Sequence, residues 1–289
     1  MTVGTLYKYF SPQRHTFFHK PMLRFTPPWE LNDPFEGKPS YMGFSSQENF
    51  NTTFDENIDD IFQEQLQAIP KEYHGLLLGN EAMLKNFVKS KYPELISFLN
   101  SKKSREELDN SISSALKKSG VGVLSMSQLN NNLLMWAHYC KNHEGFVVGF
   151  DTSNSFFNRT LHKDDNIFRT LRPVIYKNER PRKHLTDYSS GENVFEDLLF
   201  TKSKDWEYEL EWRMIISGVF EMKQYGFAGL DAVPVEAIKK IYIGVKARQE
   251  LKDCAIYFCQ KHGISNLYQM ELHEADYALQ PNPLNIKTV

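Results

Sequence analysis

The run most capable of chemistry is residues 206–214, Trp-Glu-Tyr-Glu-Leu-Glu-Trp-Arg-Met. Charged and bulky apolar residues alternate through it without a break. On a strand, Glu207, Glu209, Glu211 and Arg213 share one face, with Trp206, Tyr208, Leu210, Trp212 and Met214 on the other. On a helix the aromatics would scatter around the axis, so the alternation predicts a strand over 206–217. Three carboxylates in one column repel one another, and folding gains nothing from that. Alternate carboxylates lie roughly 7 Å apart on a strand face. That spacing is too wide to share a proton but suits holding two points of one ligand. The plainer alternative is a solvated strand face on which Arg213 and Lys204 offset the acids.

Two further segments carry polar groups that could reach a ligand. Pro27-Pro28-Trp29-Glu30-Leu31-Asn32-Asp33-Pro34-Phe35-Glu36-Gly37 reads as an ordered loop with fixed turns. It either holds itself together through Asn32 and Asp33 or carries Asn32, Asp33 and Glu36 toward a ligand. Met135-Trp136-Ala137-His138-Tyr139 puts two aromatics and a histidine within one helical turn. Trp136 belongs to a core, whereas His138 and Tyr139 lie off the main apolar face. Other chemistries are set aside. There is no Walker-type phosphate loop and no His-Glu-x-x-His, and Gly120-Val121-Gly122 lacks the rest of a dinucleotide fingerprint. Cys140, His138 and His143 lack a second ligand pair, so no metal is expected.

Composition bounds what these residues can serve. The 289 residues are 41% hydrophobic and 13% aromatic, enough for a real core. A net charge of −2 gives no electrostatic footprint for bulk nucleic acid. Three cysteines form no disulfide framework. The first ten residues lack a secretory apolar core, and no apolar run is long enough to span a membrane. A cytoplasmic protein without a membrane partner is expected.

The elements that must position the acids follow from periodicity. Strands are expected at 5–10, 22–26, 121–126, 146–150, 172–176, 206–217, 238–245 and 267–273. Helices are expected from Pro12 to about residue 20, and at 130–141, 194–203 and 249–262. Between 45 and 120 the composition shifts to Glu, Gln, Lys, Leu and Ile, with amphipathic patterns at 55–67, 80–91 and 105–118. The reading is one α+β domain over 1–289, with a mixed, largely antiparallel sheet and a helical insertion at 45–120. The polar tail 281–289 is expected to be loosely held.

These blocks resemble an uncharacterised bacterial family. Leu6-Tyr7-Lys8-Tyr9, Leu31-Asn32-Asp33-Pro34-Phe35-Glu36, Met135-Trp136-Ala137-His138-Tyr139 with His143-Glu144-Gly145-Phe146, and Lys204 through Arg213 look like the signature blocks of domain of unknown function 2971. The resemblance covers most of the chain outside 45–120 and implies a link to mobile elements and phage defence. A second resemblance, carried by Glu209-Leu210-Glu211-Trp212-Arg213-Met214-Ile215-Ile216 and by residues 233–243, is to the closing half of an ADP-ribosyltransferase fold. Those enzymes carry a catalytic glutamate on a strand, often in a Glu-x-Glu pair, and a first-strand His or Arg that meets NAD. Lys8 and Tyr9 stand at the comparable place here, with Arg24 on the second strand.

That resemblance implies NAD as substrate and Glu211 and Glu209 as the catalytic pair. Cleaving the nicotinamide–ribose bond builds positive charge on the sugar, which carboxylates stabilise. Glu211 would grip the ribose hydroxyl and stabilise the cation, and Glu209 would orient or deprotonate the acceptor. Tyr9 or Tyr139 would stack on nicotinamide, and Lys8 or Arg24 would hold the diphosphate. Arg213 would keep Glu211 ionised. Asn32, Asp33 and His138 complete the expected binding set.

Three functions remain open at this stage. The first is an ADP-ribosyltransferase-like effector, a toxin or defence protein, acting on nucleic acid or protein and held by a neutralising partner. The second is a non-catalytic sensor or interaction module of a defence system. The third is a nucleotide or NAD hydrolase. An open cleft holding Glu211 with Tyr9 and Asn32 favours catalysis; Arg213 paired with both glutamates in a dry interior favours structure.

Overall fold

The computed structural model describes residues 4–38, 40–159, 169–188, 191–218 and 229–286. In chain order the elements are β1 (Thr5–Phe10), β2 (Met22–Arg24), β3 (Tyr41–Gly43), α1 (Gln47–Gln67), α2 (His74–Gly79), α3 (Glu81–Ser90), α4 (Tyr92–Leu99) and α5 (Lys102–Lys118). There follow β4 (Gly122–Ser127), α6 (Leu133–Tyr139), β5 (Phe146–Asp151), β6 (Leu171–Pro173), β7 (Ile175–Lys177), β8 (Lys183–His184), α7 (Gly191–Leu199) and β9 (Thr201–Ser203). The last are β10 (Glu211–Ile216), β11 (Leu230–Ala232), β12 (Ile238–Ile243), α8 (Gln249–His262), β13 (Leu267–Leu272) and β14 (Leu279–Pro283). The chain divides into two compact units. One comprises 1–37, 116–179 and 195–289; the other comprises 38–115 and 180–194.

The first unit is built on an eight-stranded sheet in the order β14-β13-β12-β5-β1-β4-β10-β6. All of its pairings are antiparallel except β12 with β13, which the crossover helix α8 connects. The fold is thus mixed α+β with a large, mostly antiparallel sheet. Strand alternation sorts side chains onto its two faces. Leu6, Phe10, Phe146, Val148, Phe150, Ile241 and Ile243 pack against a 3-10 segment, Pro12–Phe18, and against α8. Tyr9, Val147, Tyr242 and Met270 join Met135 and Trp136 of α6 on the opposite face. The sheet therefore lies between helical layers, and its inner strands are buried on both sides.

In the second unit, α1 and α4 pack through Phe50, Tyr92 and Ile96, with Phe54 and Leu99 beside them. β3 and β8 pair in parallel, and the side chain of Asn100 accepts a hydrogen bond from the Phe44 amide at 2.7 Å.

Local expectations fail in several places, and the strand expected at 172–176 is two, β6 against β10 and β7 against β9. Residues 204–209 form a 3-10 turn, not a strand; Leu210 is left-handed at φ 42°, and the strand is only Glu211–Ile216. The carboxylate column therefore does not exist, and Glu207 is exposed away from the other two acids. The turn wins because its start is capped by the Ser203 hydroxyl, which accepts from the Asp205 amide at 3.4 Å. Trp206 also covers the Lys202 ammonium, 4.8 Å from its ring centroid. Aromatic burial and a cation–π contact thereby replace a strand face. The helix expected over 194–203 ends at Leu199, and β9 follows, pairing in parallel with β7. Residues 281–283 are not a loose tail but part of β14, an edge strand against β13. Pro281 and Pro283 suit that edge because they need no ladder donor; residues 287–289 lie outside the described ones.

Candidate functional site

A pocket of about 260 Å³ opens in the first unit where β1, β4 and the 204–211 segment meet the 27–37 loop. Glu211 lines it together with Glu209, Glu36, Lys202, Lys8, Arg24, Asn32, Tyr9 and Tyr139. The segment that brings the acids there is tightly held. The Ser127 hydroxyl donates to Glu209 O at 2.6 Å, the Gln128 amide to Leu210 O at 3.2 Å, and the Glu211 amide to the Tyr176 hydroxyl at 2.8 Å. Asn132 caps α6 through the Met135 amide and reaches Tyr208 O at 3.2 Å. The left-handed Leu210 joins the turn to the strand. Glu209, on the turn, and Glu211, on the strand, reach one shared cation.

That cation is Lys202, on β9. Its ammonium lies 2.6 Å from Glu209 Oε2, 3.1 Å from Glu211 Oε2 and 3.6 Å from Glu36 Oε1. Arg213 stands behind. Its Nε donates to Glu211 Oε1 at 2.8 Å, its Nη2 to Glu211 Oε2 at 2.9 Å and to Glu36 Oε1, and its Nη1 to Leu199 O at 2.7 Å. Arg213 is fully buried and does not line the pocket. Glu36, Glu209 and Glu211 are 5%, 2% and 5% exposed. The cluster joins three carboxyl groups to two cations in a setting where an unpaired charge is costly.

Burial works against the ionised form of Glu211, but Arg213 and then Lys202 outweigh it and hold its carboxyl well below the usual range. Burial likewise opposes charge on Lys202 and Arg213, and the surrounding carboxylates overcome it, raising both. Glu36 goes the other way. Its desolvation exceeds the pull of Arg213 and Lys202, so its carboxyl titrates above its ordinary value. Lys8 is half-buried, donates to Ser125 O at 2.7 Å, and is lowered to about 8 by burial, against the attraction of Glu211. Tyr139 donates to Glu209 Oε1 at 2.6 Å and accepts from Asn32 Nδ2 at 2.6 Å; burial and Glu209 push its hydroxyl far up.

Of the expected residues, Glu211, Glu209, Lys8, Tyr9, Arg24, Asn32 and Tyr139 share this pocket. Arg24 is exposed and ion-paired with Glu30 at the rim. Asp33 is buried beside the pocket, its Oδ1 accepting from the Phe35 amide at 2.9 Å in a local turn. His138 is exposed and does not line it. Sequence reasoning missed Lys202 altogether, since nothing in Phe200-Thr201-Lys202-Ser203 marks that lysine as buried. Among the described residues, no cluster of three or more His, Cys, Asp or Glu is arranged to hold a metal ion, and no helix is long and apolar enough to cross a membrane.

Residues 135–214 match a family model described as a protein of unknown function, DUF2971. The DUF2971 match runs from α6 to β10 and takes in Tyr139, Lys202, Glu209, Glu211 and Arg213. Lys8, Arg24, Asn32 and Glu36 lie outside it. No curated protein and no solved structure matches the chain.

Proposed function

We propose that this pocket binds NAD or a related nucleotide and acts at the bond between ribose C1′ and nitrogen. The chemistry would be that of an ADP-ribosyltransferase-like enzyme, with a macromolecule or water as acceptor. The observation that carries the reading is the juxtaposition of Glu209 and Glu211 in one pocket with Lys8, Tyr9 and Tyr139. Fixed carboxylates facing a sugar that becomes cationic lower the barrier because they need no reorganisation as charge develops. Glu211 suits the role of a fixed charge, since Arg213 and Lys202 hold both of its oxygens. Glu209 lies next to it and is oriented by Tyr139. A volume of about 260 Å³ suits one nucleoside-sized part of a dinucleotide, with the remainder along the rim near Arg24. A drained NAD pool or a modified macromolecule would suit a toxin or defence effector.

The test is incubation with NAD labelled in the adenosine moiety. Release of nicotinamide with label on a macromolecule supports transfer; release with free ADP-ribose supports hydrolysis. Bound but intact NAD would favour the sensor, a reading supported by the cations that already occupy both oxygens of Glu211. Absence of binding would remove the nucleotide reading.

Lys8 supplies a pH signature. An anionic phosphate beside its ammonium stabilises the protonated form, whose pKa in the free protein is about 8. Affinity should hold below that pH and fall above it, by about tenfold for each further unit while Lys8 must take up a proton to bind. Calorimetric titration at pH 7 and pH 9 should show this in the wild type and a flat, weaker response in Lys8→Met. A wild-type affinity unchanged between the two would remove Lys8 from the phosphate.

A further inference from the structure

We propose that Glu36 is the general base of this pocket, taking the proton from the nucleophile that attacks the ribose. The inference rests on the reading that the pocket works at a ribose–nitrogen bond. Glu36 comes from the 27–37 loop, which is pinned where the Glu36 amide meets Asp33 O at 3.2 Å and the Gly37 amide meets Leu198 O at 3.3 Å. Its carboxyl is buried yet lines the pocket. Oε1 accepts from Arg213 and faces Lys202, while Oε2 is buried without any hydrogen-bond partner. A buried carboxylate oxygen left unpaired by the protein needs a donor from elsewhere, and a ligand or attacking hydroxyl is such a donor.

The oxygens of the other two acids already accept hydrogen bonds within the cluster. Glu209 Oε1 accepts from the Tyr139 hydroxyl and its Oε2 from Lys202. Both oxygens of Glu211 accept from Arg213, and Oε2 from Lys202 as well. The groups facing Glu36 are Arg213 and Glu211 on β10 and Lys202 on β9, with Asp33 on its own loop. Among the three acids Glu36 alone has an oxygen free of all of them, and burial raises its carboxyl above the ordinary value.

The C1′–nitrogen bond breaks and its electron pair goes to the nicotinamide ring nitrogen, which becomes neutral. A lone pair on the oxygen of water or of an acceptor hydroxyl forms the new bond to C1′. The O–H proton passes to Glu36 Oε2 and then to solvent. Glu211, held by Arg213 and Lys202, remains ionised throughout as a fixed charge.

The experiment compares wild type and Glu36→Gln with NAD, following nicotinamide release against pH and repeating the series with azide, an anionic nucleophile with no proton to lose. Wild type should show an acidic limb in kcat/KM above the ordinary glutamate range with water as acceptor, and that limb should vanish with azide. Glu36→Gln should lose about 100-fold with water, lose the acidic limb, and recover with azide to give the azido sugar. A folded Glu36→Gln that keeps the wild-type rate and limb overturns the assignment, as does a wild-type acidic limb that persists with azide. The second result needs no variant, so it decides the matter even if Glu36→Gln does not fold. A wild type that binds NAD but releases no nicotinamide overturns the reaction itself, a result distinct from one confined to Glu36.

Discussion

Replacing Arg213 by methionine is expected to cost the folded protein about 3–5 kcal/mol, the range for removing one partner from a buried ion pair. Arg213 has no exposed surface and is the main counter-charge for Glu211 and Glu36. Methionine fills much of the volume but leaves those carboxyls facing only Lys202. The loss should depend on pH. In the wild type Glu211 titrates below its ordinary value because of Arg213 and Lys202. Its contribution is therefore complete above the unfolded-state value and disappears as pH falls through the folded-state value. The gap between wild type and Arg213→Met should be widest near pH 7 and narrow on acidification. Glu36, raised by burial, acts oppositely: its contribution is present at low pH and is lost as pH rises through its folded value. Arg213→Lys should recover only part, since an ammonium cannot serve Glu211, Glu36 and Leu199 O with a planar fork. Urea unfolding at pH 7 and pH 4 measures all of this. An Arg213→Met protein within about 1 kcal/mol of wild type would mean that the cluster contributes little to stability.

On the proposed chemistry, Glu209→Gln is expected to reduce nicotinamide release by about 100- to 1000-fold, the cost of losing one fixed electrostatic group from a transition-state site. Folding should suffer far less than in Glu211→Gln. A glutamine carbonyl still accepts from the Tyr139 hydroxyl, and Lys202 keeps Glu211 at 3.1 Å. Glu211→Gln instead weakens the pairing of Arg213 and Lys202 together. The geometry makes Glu209→Gln the cleaner probe of catalysis. Nicotinamide release and thermal melts on both variants separate the effects. Full activity in a well-folded Glu209→Gln would take that carboxylate out of the chemistry.

Much of the sheet was legible because its signals are local. Strand alternation located β1 at 5–10 and β5 from 146, and the helix over 249–262 coincides with α8. Local signals failed where two structures share one pattern. Trp206 to Trp212 alternates like a strand, yet a 3-10 turn and one left-handed residue meet the same burial demands once Lys202 lies beneath Trp206. The same lysine was hidden because a short buried strand and the end of a helix read alike over 194–203. Asn32 and Tyr139, chosen as separate candidates, bond each other across 107 residues, a contact that no spacing announces.

By itself, the sequence determined the α+β class, the helical composition of 45–120 and the acid–aromatic run that draws attention to Glu209 and Glu211. Backbone periodicity and turn chemistry carry those facts over a few residues at a time. Tertiary structure alone decided that Glu211 titrates below and Glu36 above the ordinary range. Glu36 reaches Arg213 from 177 residues away, and Lys202 arrives on a strand that only its pairing with β7 positions. Which carboxylate is held ionised and which retains an unpaired oxygen depends on distances and burial among distant segments, because electrostatic energy is set by separation in space.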